Sequence, residues 1–230
     1  MFYFNPTYLM YMLPAFILMA LTSWYVRSAY SKWSRVPVSS RLSGAQAAQR
    51  LMSTGNLYGL QIRGVGGELT DHYDPRDKTL YLSQGVGNGN SVASVAIAAH
   101  ELGHALQDAE EYFPLRFRSA LVPLVNIGSN LGWILIMIGL FLNFTQLAWL
   151  GVIIFAGGAV FALATLPVEF DASARAKRLL AETGIIQTEE EKRGVNAVLN
   201  AAALTYVAGL VTAILQLLYY VSLVGGRRRS

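Results

Sequence analysis

Apolar and charged residues are separated into long blocks along this chain. Every Lys, Arg, Asp and Glu falls within positions 27–118, 169–193 or 227–229, and the segments outside these blocks carry no charged side chain. An α-helix needs roughly 20 predominantly apolar residues to cross a bilayer. The charge-free segments are therefore long enough for four membrane spans. The predicted spans are residues 8–25, 121–142, 147–166 and 203–224.

The polar regions between the spans, 27–118 and 167–202, are predicted to hold the functional residues. In the first of them, the pattern predicts a short helix over 44–53, a strand over 79–83 and a longer helix from Asn90 or Ser91 to about Asp108. The glycines at positions 64, 66 and 67, and those at 85, 87 and 89, indicate loops.

The second polar region is predicted to be helical once the span before it has ended. Pro167 marks that end, and a new helix is expected to start at about Glu169 and to stop at Gly184. Residues 189–193 are predicted to be a solvated helix start. The expected fold class is a mainly α membrane protein with about four transmembrane helices and a small α+β region, forming one membrane-embedded domain over residues 1–230.

Composition agrees with a membrane protein. Hydrophobic residues make up 53% of the chain and charged residues 14%, and the mean hydropathy is +0.39. Soluble domains usually carry about 25% charged residues. Positions 1–13 lack Lys and Arg, so we expect a retained anchor rather than a secretory signal peptide, which begins with a basic region. No interleaved aromatic and basic pattern indicates nucleic-acid binding, so the lipid bilayer is the expected partner.

The distribution of basic residues predicts an orientation. Residues 27–118 contain ten Lys and Arg and residues 169–193 contain five, whereas the turn at 143–146 contains none. Because Lys-rich and Arg-rich loops tend to stay in the cytoplasm, both polar regions are expected on the cytoplasmic side of the cell membrane. Four full spans would leave the basic tail at 227–229 on the opposite side, which is a misfit to the same rule.

The sequence His100-Glu101-Leu102-Gly103-His104 lies on the longer predicted helix. Two histidines one helical turn apart project from the same face and can share a Zn²⁺ ion, and the intervening glutamate can reach a metal-bound water. This is the H-E-x-x-H pattern of zinc peptidases. The chain has no cysteine, so histidine and carboxylate groups must supply every ligand.

A catalytic zinc needs a third protein ligand and an open position for water. The candidates are Glu169, His72, Asp171 and Asp108. Glu169 is favoured because it follows a predicted span and so lies on the same side of the membrane as His100. The sequence does not exclude the other three residues.

These residues predict a membrane zinc metallopeptidase in which Glu101 acts as the general base, with a peptide or membrane protein as substrate. Strand 79–83, which precedes the metal helix, is a candidate edge for an extended substrate. The second hypothesis is a zinc-binding membrane scaffold or regulatory factor without turnover, in which Glu101 would have no purpose. A transporter is disfavoured because the spans hold no ionisable acid or base.

Three segments carry a family resemblance: LTDHYDP at 69–75, AAHELGHALQ at 98–107 and PVEFDAS at 167–173. With the order of the hydrophobic segments, they resemble the YugP-type membrane zinc-dependent neutral metallopeptidases and, more distantly, the HtpX and CAAX-prenyl-protease gluzincins. The resemblance implies a zincin-like region on the cytoplasmic side, with His100, His104 and Glu169 as zinc ligands and Glu101 as catalytic acid/base.

The chain departs from the HtpX-type pattern at one position. Four residues after the ligand glutamate, where that pattern often has an aspartate able to orient a zinc histidine, this chain has Ser173. The orienting role is therefore expected of Asp171 or of no residue. His72 is a further candidate for substrate or oxyanion contact, and is otherwise expected to be a turn residue.

Overall fold

Helices make up most of residues 6–226, the part of the chain that this computed structural model describes. The elements are α1 Pro6–Trp33, α2 Gly44–Thr54, β1 Gln61–Val65, β2 His72–Asp74, β3 Thr79–Ser83, α3 Gln84–Gly87, α4 Val92–Ala109, α5 Phe113–Phe141, α6 Thr145–Phe155, α7 Gly157–Glu182 and α8 Glu189–Gly226. The basic tail at 227–229 lies outside the described residues. The predicted class, mainly α with a small β part, is confirmed.

Four helical stretches of the described chain are long and apolar enough to cross a membrane. They are Pro6–Trp33, Phe113–Phe141, Thr145–Glu182 and Glu189–Gly226. The prediction of about four transmembrane helices is therefore confirmed. Each of these helical stretches is longer than the span predicted for it. The extensions carry charged residues, which is why hydropathy alone made each predicted span too short.

The predicted helix start near Glu169 is wrong. Helix α7 runs from Gly157 to Glu182 without a break and contains Pro167 in its interior. A proline removes one backbone hydrogen bond and crowds the preceding turn, but helices in apolar surroundings tolerate it when neighbouring groups compensate. Glu169 is consequently held on a continuous helix rather than at a helix terminus.

The chain divides into two compact units. The first comprises, among the described residues, 6–22, 116–166 and 205–226. Within it α5 and α6 approach closely at glycines: a Cβ added to Gly139 would lie 2.4 Å from the Ala148 nitrogen, and one added to Gly151 would lie 2.6 Å from the Gly132 oxygen. Small residues at such contacts let membrane helices pack backbone to backbone.

The second unit, residues 23–115 and 167–204, contains a three-stranded sheet of order β1-β3-β2. Strand β3 pairs in parallel with β1 and antiparallel with β2, and its range matches the predicted strand. The other two strands were not predicted. Residues 61–65 contain Gly64 and show no clear alternation, and residues 72–74 are too few to display one.

Two expectations are overturned by the sheet. Strand β3 is central and paired on both sides, so it cannot offer an edge to a substrate. His72 lies in strand β2 rather than in a turn. The sheet has two outer strands, β1 and β2. Of these, β2 is closer in sequence to the helix that carries the histidines, α4, and contacts it.

Helix α4 forms the centre of the second unit. Ser91 caps it by accepting a hydrogen bond from the Ser94 amide, at 3.1 Å. One apolar stripe of α4 is buried: Val92, Val95, Ala99, Leu102 and Leu106 are all 6% exposed or less. Burial of this stripe fixes the rotation of α4 and thereby the direction of its histidines.

The acidic segment at the start of α8 is only partly solvated. Glu191 is 3% exposed, and its carboxylate accepts hydrogen bonds from the backbone amides of Ser39, Gln187 and Thr188. This residue therefore anchors the 34–43 loop to the first turn of α8, which the charge pattern alone did not reveal.

Candidate metal centre

Three potential ligand atoms converge between α4 and α7. The Nε2 atoms of His100 and His104 lie 3.3 Å and 3.6 Å from Oε2 of Glu169, and one ligand atom from each residue lies within 4.8 Å of the others. Zinc–ligand bonds of 2.0–2.1 Å in a tetrahedral site place neighbouring ligand atoms about 3.4 Å apart. The observed separations therefore fit one shared zinc ion.

Burial also favours a cation at this point. Glu169 is 3% exposed, and its Oε2 atom has no hydrogen-bond partner within the described part of the chain. His100 and His104 can form ion pairs with Glu169 only when their imidazoles are protonated. Buried carboxylates are stable only when paired, hydrogen-bonded or bound to a metal, so a cation between these three groups would satisfy Glu169.

A glycine in the motif allows α7 to reach α4. A Cβ added to Gly103 would lie 2.5 Å from the Ala172 carbonyl oxygen, closer than real Cβ contacts. Glu169 precedes Ala172 by three residues, about one turn of α7. The close approach at Gly103 thus brings the Glu169 turn against the histidine face of α4.

Gln107 orients His104, a contact that sequence reasoning missed. It is fully buried, its Oε1 lies 3.0 Å from His104 Nδ1, and its Nε2 donates to the Val168 carbonyl and to Asp171, both at 2.8 Å. Because an amide oxygen only accepts, this contact assigns a proton to His104 Nδ1 and leaves Nε2 as the nitrogen that faces Glu169. The available signal was its position three residues after His104, on the same helical face.

His100 has a weaker partner at the equivalent nitrogen. The Ser173 hydroxyl lies 3.2 Å from His100 Nδ1, so the residue that replaces the expected aspartate still contacts a histidine of the pair. Asp171 contacts neither histidine directly; its carboxylate accepts from Gln107 and from Arg175. Its contribution to the site therefore passes through Gln107.

Glu101 lies beside the cluster and is bonded to the sheet. The backbone amide of Tyr73 donates to Glu101 Oε2 at 3.2 Å. Burial raises the pKa of Glu101 above its usual range, although the charges of His100 and His104 act in the opposite direction. Burial lowers the pKa of His104, but its contact with Glu169 and the charge of Glu101 outweigh that effect and raise it.

The other candidate ligands lie elsewhere. His72 is exposed, stacks on Tyr81 with ring centroids 4.8 Å apart, and has Nδ1 2.9 Å from the Thr70 carbonyl oxygen. Asp108 bonds to Tyr73 and Lys78. The structure brings neither residue to the histidine pair.

The chain matches known proteins over the whole of this architecture. The sequence profile of the family described as "Putative neutral zinc metallopeptidase" matches residues 8–225. This chain belongs to the neutral zinc metallopeptidase family. The match includes every element that forms the candidate centre.

A curated relative supports the same assignment. The chain is 43% identical over 196 residues to the "Putative membrane protease YugP" of Bacillus subtilis (strain 168), a match that covers 85% of this chain and 87% of the relative. No solved structure matches the chain. Membership of the neutral zinc metallopeptidase family, with four candidate spans, supports a multi-pass membrane protein of the zinc protease class.

Proposed function

We propose that this protein is a membrane-bound, gluzincin-like zinc endopeptidase that hydrolyses peptide bonds. The observation that carries the proposal is the convergence of His100, His104 and Glu169, with Glu101 on the same helix as both histidines. The donor set of two imidazoles and one carboxylate suits zinc and leaves one tetrahedral position free.

Each residue then has a defined task. His100, His104 and Glu169 would hold the ion, which when bound supplies Lewis-acid activation of water and of the scissile carbonyl. Glu101 accepts the proton of the attacking water and delivers it to the leaving amine. Gln107 and Ser173 keep the two imidazoles in the orientation that exposes Nε2.

Strand β2 is the proposed docking edge for an extended peptide. It is the outer strand of the sheet, and its Tyr73 amide points at Glu101 rather than at β3. A peptide along this edge would lie beside the general base, and it would bond to backbone groups other than the Tyr73 amide, which donates to Glu101. This proposal replaces β3, which has no free edge.

The proposed setting is the cytoplasmic side of the cell membrane. The fifteen basic residues of 27–118 and 169–193 support that orientation, and the four candidate spans support a location at the bilayer. Glu169 lies on the same helical stretch as a candidate span, which favours membrane proteins or their cytosolic segments as substrates. Such substrates would suit a role in quality control. We further propose that residues 1–230 act as a single peptidase domain.

The decisive variant is Glu101→Gln. It removes the general base and keeps the size and the hydrogen-bond acceptor of the side chain, so we expect zinc content near that of the wild type and loss of cleavage by at least about a hundredfold. Zinc would be measured by elemental analysis of full-length protein in detergent, and cleavage with an unstructured protein substrate. Glu68→Gln, an exposed change of the same chemistry, is the control.

The same experiment separates the peptidase from its rival, a zinc-binding scaffold or regulatory factor. A scaffold would bind zinc in both forms and show no cleavage with either. Undiminished cleavage by Glu101→Gln would instead remove Glu101 from the mechanism.

A further inference from the structure

Tyr73 forms hydrogen bonds to helix α4 through both its backbone amide and its phenol. Its backbone amide donates to Glu101 Oε2 at 3.2 Å, and its phenol donates to Asp108 Oδ2 at 2.7 Å. Glu101 and Asp108 are seven residues apart, two turns on the same face of α4 and about 10 Å along its axis. Tyr73 therefore lies along the metal helix and fixes strand β2 against it.

Asp108 is the point where the β2–β3 hairpin is fastened. Besides the Tyr73 phenol it binds Lys78, which lies in the turn between the two strands. Lys78 has a left-handed backbone, with φ of 52°, and its carbonyl accepts from the Gln61 amide at 3.0 Å. Strand β2 and the turn that follows it thus meet one carboxylate.

The position of this carboxylate is unfavourable for helix stability. Asp108 is in the last turn of α4, which ends at Ala109, and an acidic side chain there opposes the helix dipole. Lys78 offsets that charge. A tyrosine phenol is protonated at neutral pH, and burial together with the Asp108 bond raises the pKa of Tyr73 further. The arrangement stabilises the hairpin contact rather than the helix.

We propose that Asp108 is a positioning residue for Glu101 and acts through Tyr73. Asp108, paired with Lys78, accepts from the Tyr73 phenol and so keeps strand β2 against α4. The Tyr73 amide of that strand then fixes one carboxylate oxygen of Glu101. None of Asp108, Tyr73 and Lys78 belongs to the proposed ligand set. The catalytic part of this inference rests on the proposed peptidase function, whereas the mechanical part does not.

Tyr73→Phe and Tyr81→Phe form a matched pair for the test. Each removes one phenol from a strand of the same hairpin, and each phenol donates to an aspartate at 2.7 Å: Tyr73 to Asp108, and Tyr81 to Asp77. Hydrogen exchange of the Tyr73 amide would be followed in zinc-loaded, full-length protein in detergent. We expect exchange to accelerate by on the order of tenfold in Tyr73→Phe and to stay within twofold of wild type in Tyr81→Phe.

Zinc affinity and turnover give two further readouts. Tyr73→Phe is expected to keep the zinc affinity within about twofold and to lower kcat by on the order of tenfold with little change in KM, because misplacement of the base acts on the chemical step. Asp108→Ala should match it, and Asp108→Asn, which keeps an acceptor for the phenol, should fall between. The double variant Tyr73→Phe with Asp108→Ala should be no slower than either single variant.

The inference would be overturned if hydrogen exchange of the amide at position 73 is unchanged in Tyr73→Phe, or if that exchange accelerates while kcat stays the same. Equal acceleration in Tyr81→Phe would also overturn it, because the effect would then be a general loosening of the hairpin. A wild-type protein without cleavage would contradict the proposed function alone, since the exchange measurement would still decide whether Asp108 holds β2 on Glu101.

Discussion

At the scale of single residues, the candidate centre depends on side chains that orient other side chains. His104 can present Nε2 because Gln107 accepts at Nδ1, and Gln107 keeps its own position by donating to Val168 and Asp171. Every polar atom of this buried amide is therefore engaged. Ser173 gives His100 a longer contact, at 3.2 Å.

Gln107→Met is expected to weaken zinc binding by about ten- to a hundredfold. Methionine has a similar length but cannot accept from His104, so the imidazole loses its preferred tautomer and Asp171 loses a donor. Competition with a zinc chelator would measure the affinity. Gln61→Met, the same exchange at an exposed position, is the control, and an unchanged affinity in Gln107→Met would remove this amide from the site.

At the scale of elements, the centre depends on how closely two helices approach. The H-E-x-x-H pattern leaves its fourth position open, yet in this chain that position is Gly103, which touches the backbone of α7 at Ala172. No larger residue fits without moving one helix. The motif therefore encodes part of the packing as well as two of the ligands.

Gly103→Ala is expected to reduce zinc affinity and to destabilise the fold by about 1–3 kcal/mol, the usual result of overpacking a tight contact. The added methyl would push the Ala172 turn outward and carry Glu169 away from the histidines. Thermal unfolding and zinc competition would measure the two effects. Gly209→Ala, in a helix where an added Cβ meets nothing within 4 Å, should lower neither quantity.

At the scale of the whole molecule, four spans imply that both polar regions lie on one side of the membrane. Counted from the N-terminus, the chain has crossed the membrane once before the region between α1 and α5, and three times before the connection between α7 and α8. It has crossed twice before the turn that precedes α6. This parity holds regardless of the exact ends of the helices.

Single cysteines can test the parity, because the chain has none of its own. In intact cells a membrane-impermeant maleimide is expected to label Phe144→Cys, and to label Glu68→Cys and Gln187→Cys only after lysis. All three positions are exposed. Labelling of Glu68→Cys and Gln187→Cys under opposite conditions would exclude the four-span arrangement.

Features that depend on residues close together in the chain can be predicted from the sequence. The spans follow from uninterrupted apolar length, the start of α4 from its capping residue, and the alignment of His100 with His104 from one helical turn. Glu169 was favoured over His72 by sidedness, a coarse spatial argument that needs only the order of the spans. The resemblance to the YugP-type peptidases added the same three ligands.

Contacts between residues that are distant in the chain depend on the folded arrangement of the elements. Strands β1 and β2 are too short and irregular to show a period, and their pairing with β3 depends on packing against α3 and α4. The contacts of Gln107 with Val168 and of Tyr73 with Glu101 join residues 61 and 28 positions apart. Such contacts are fixed by the close approach of whole elements, which local patterns do not contain.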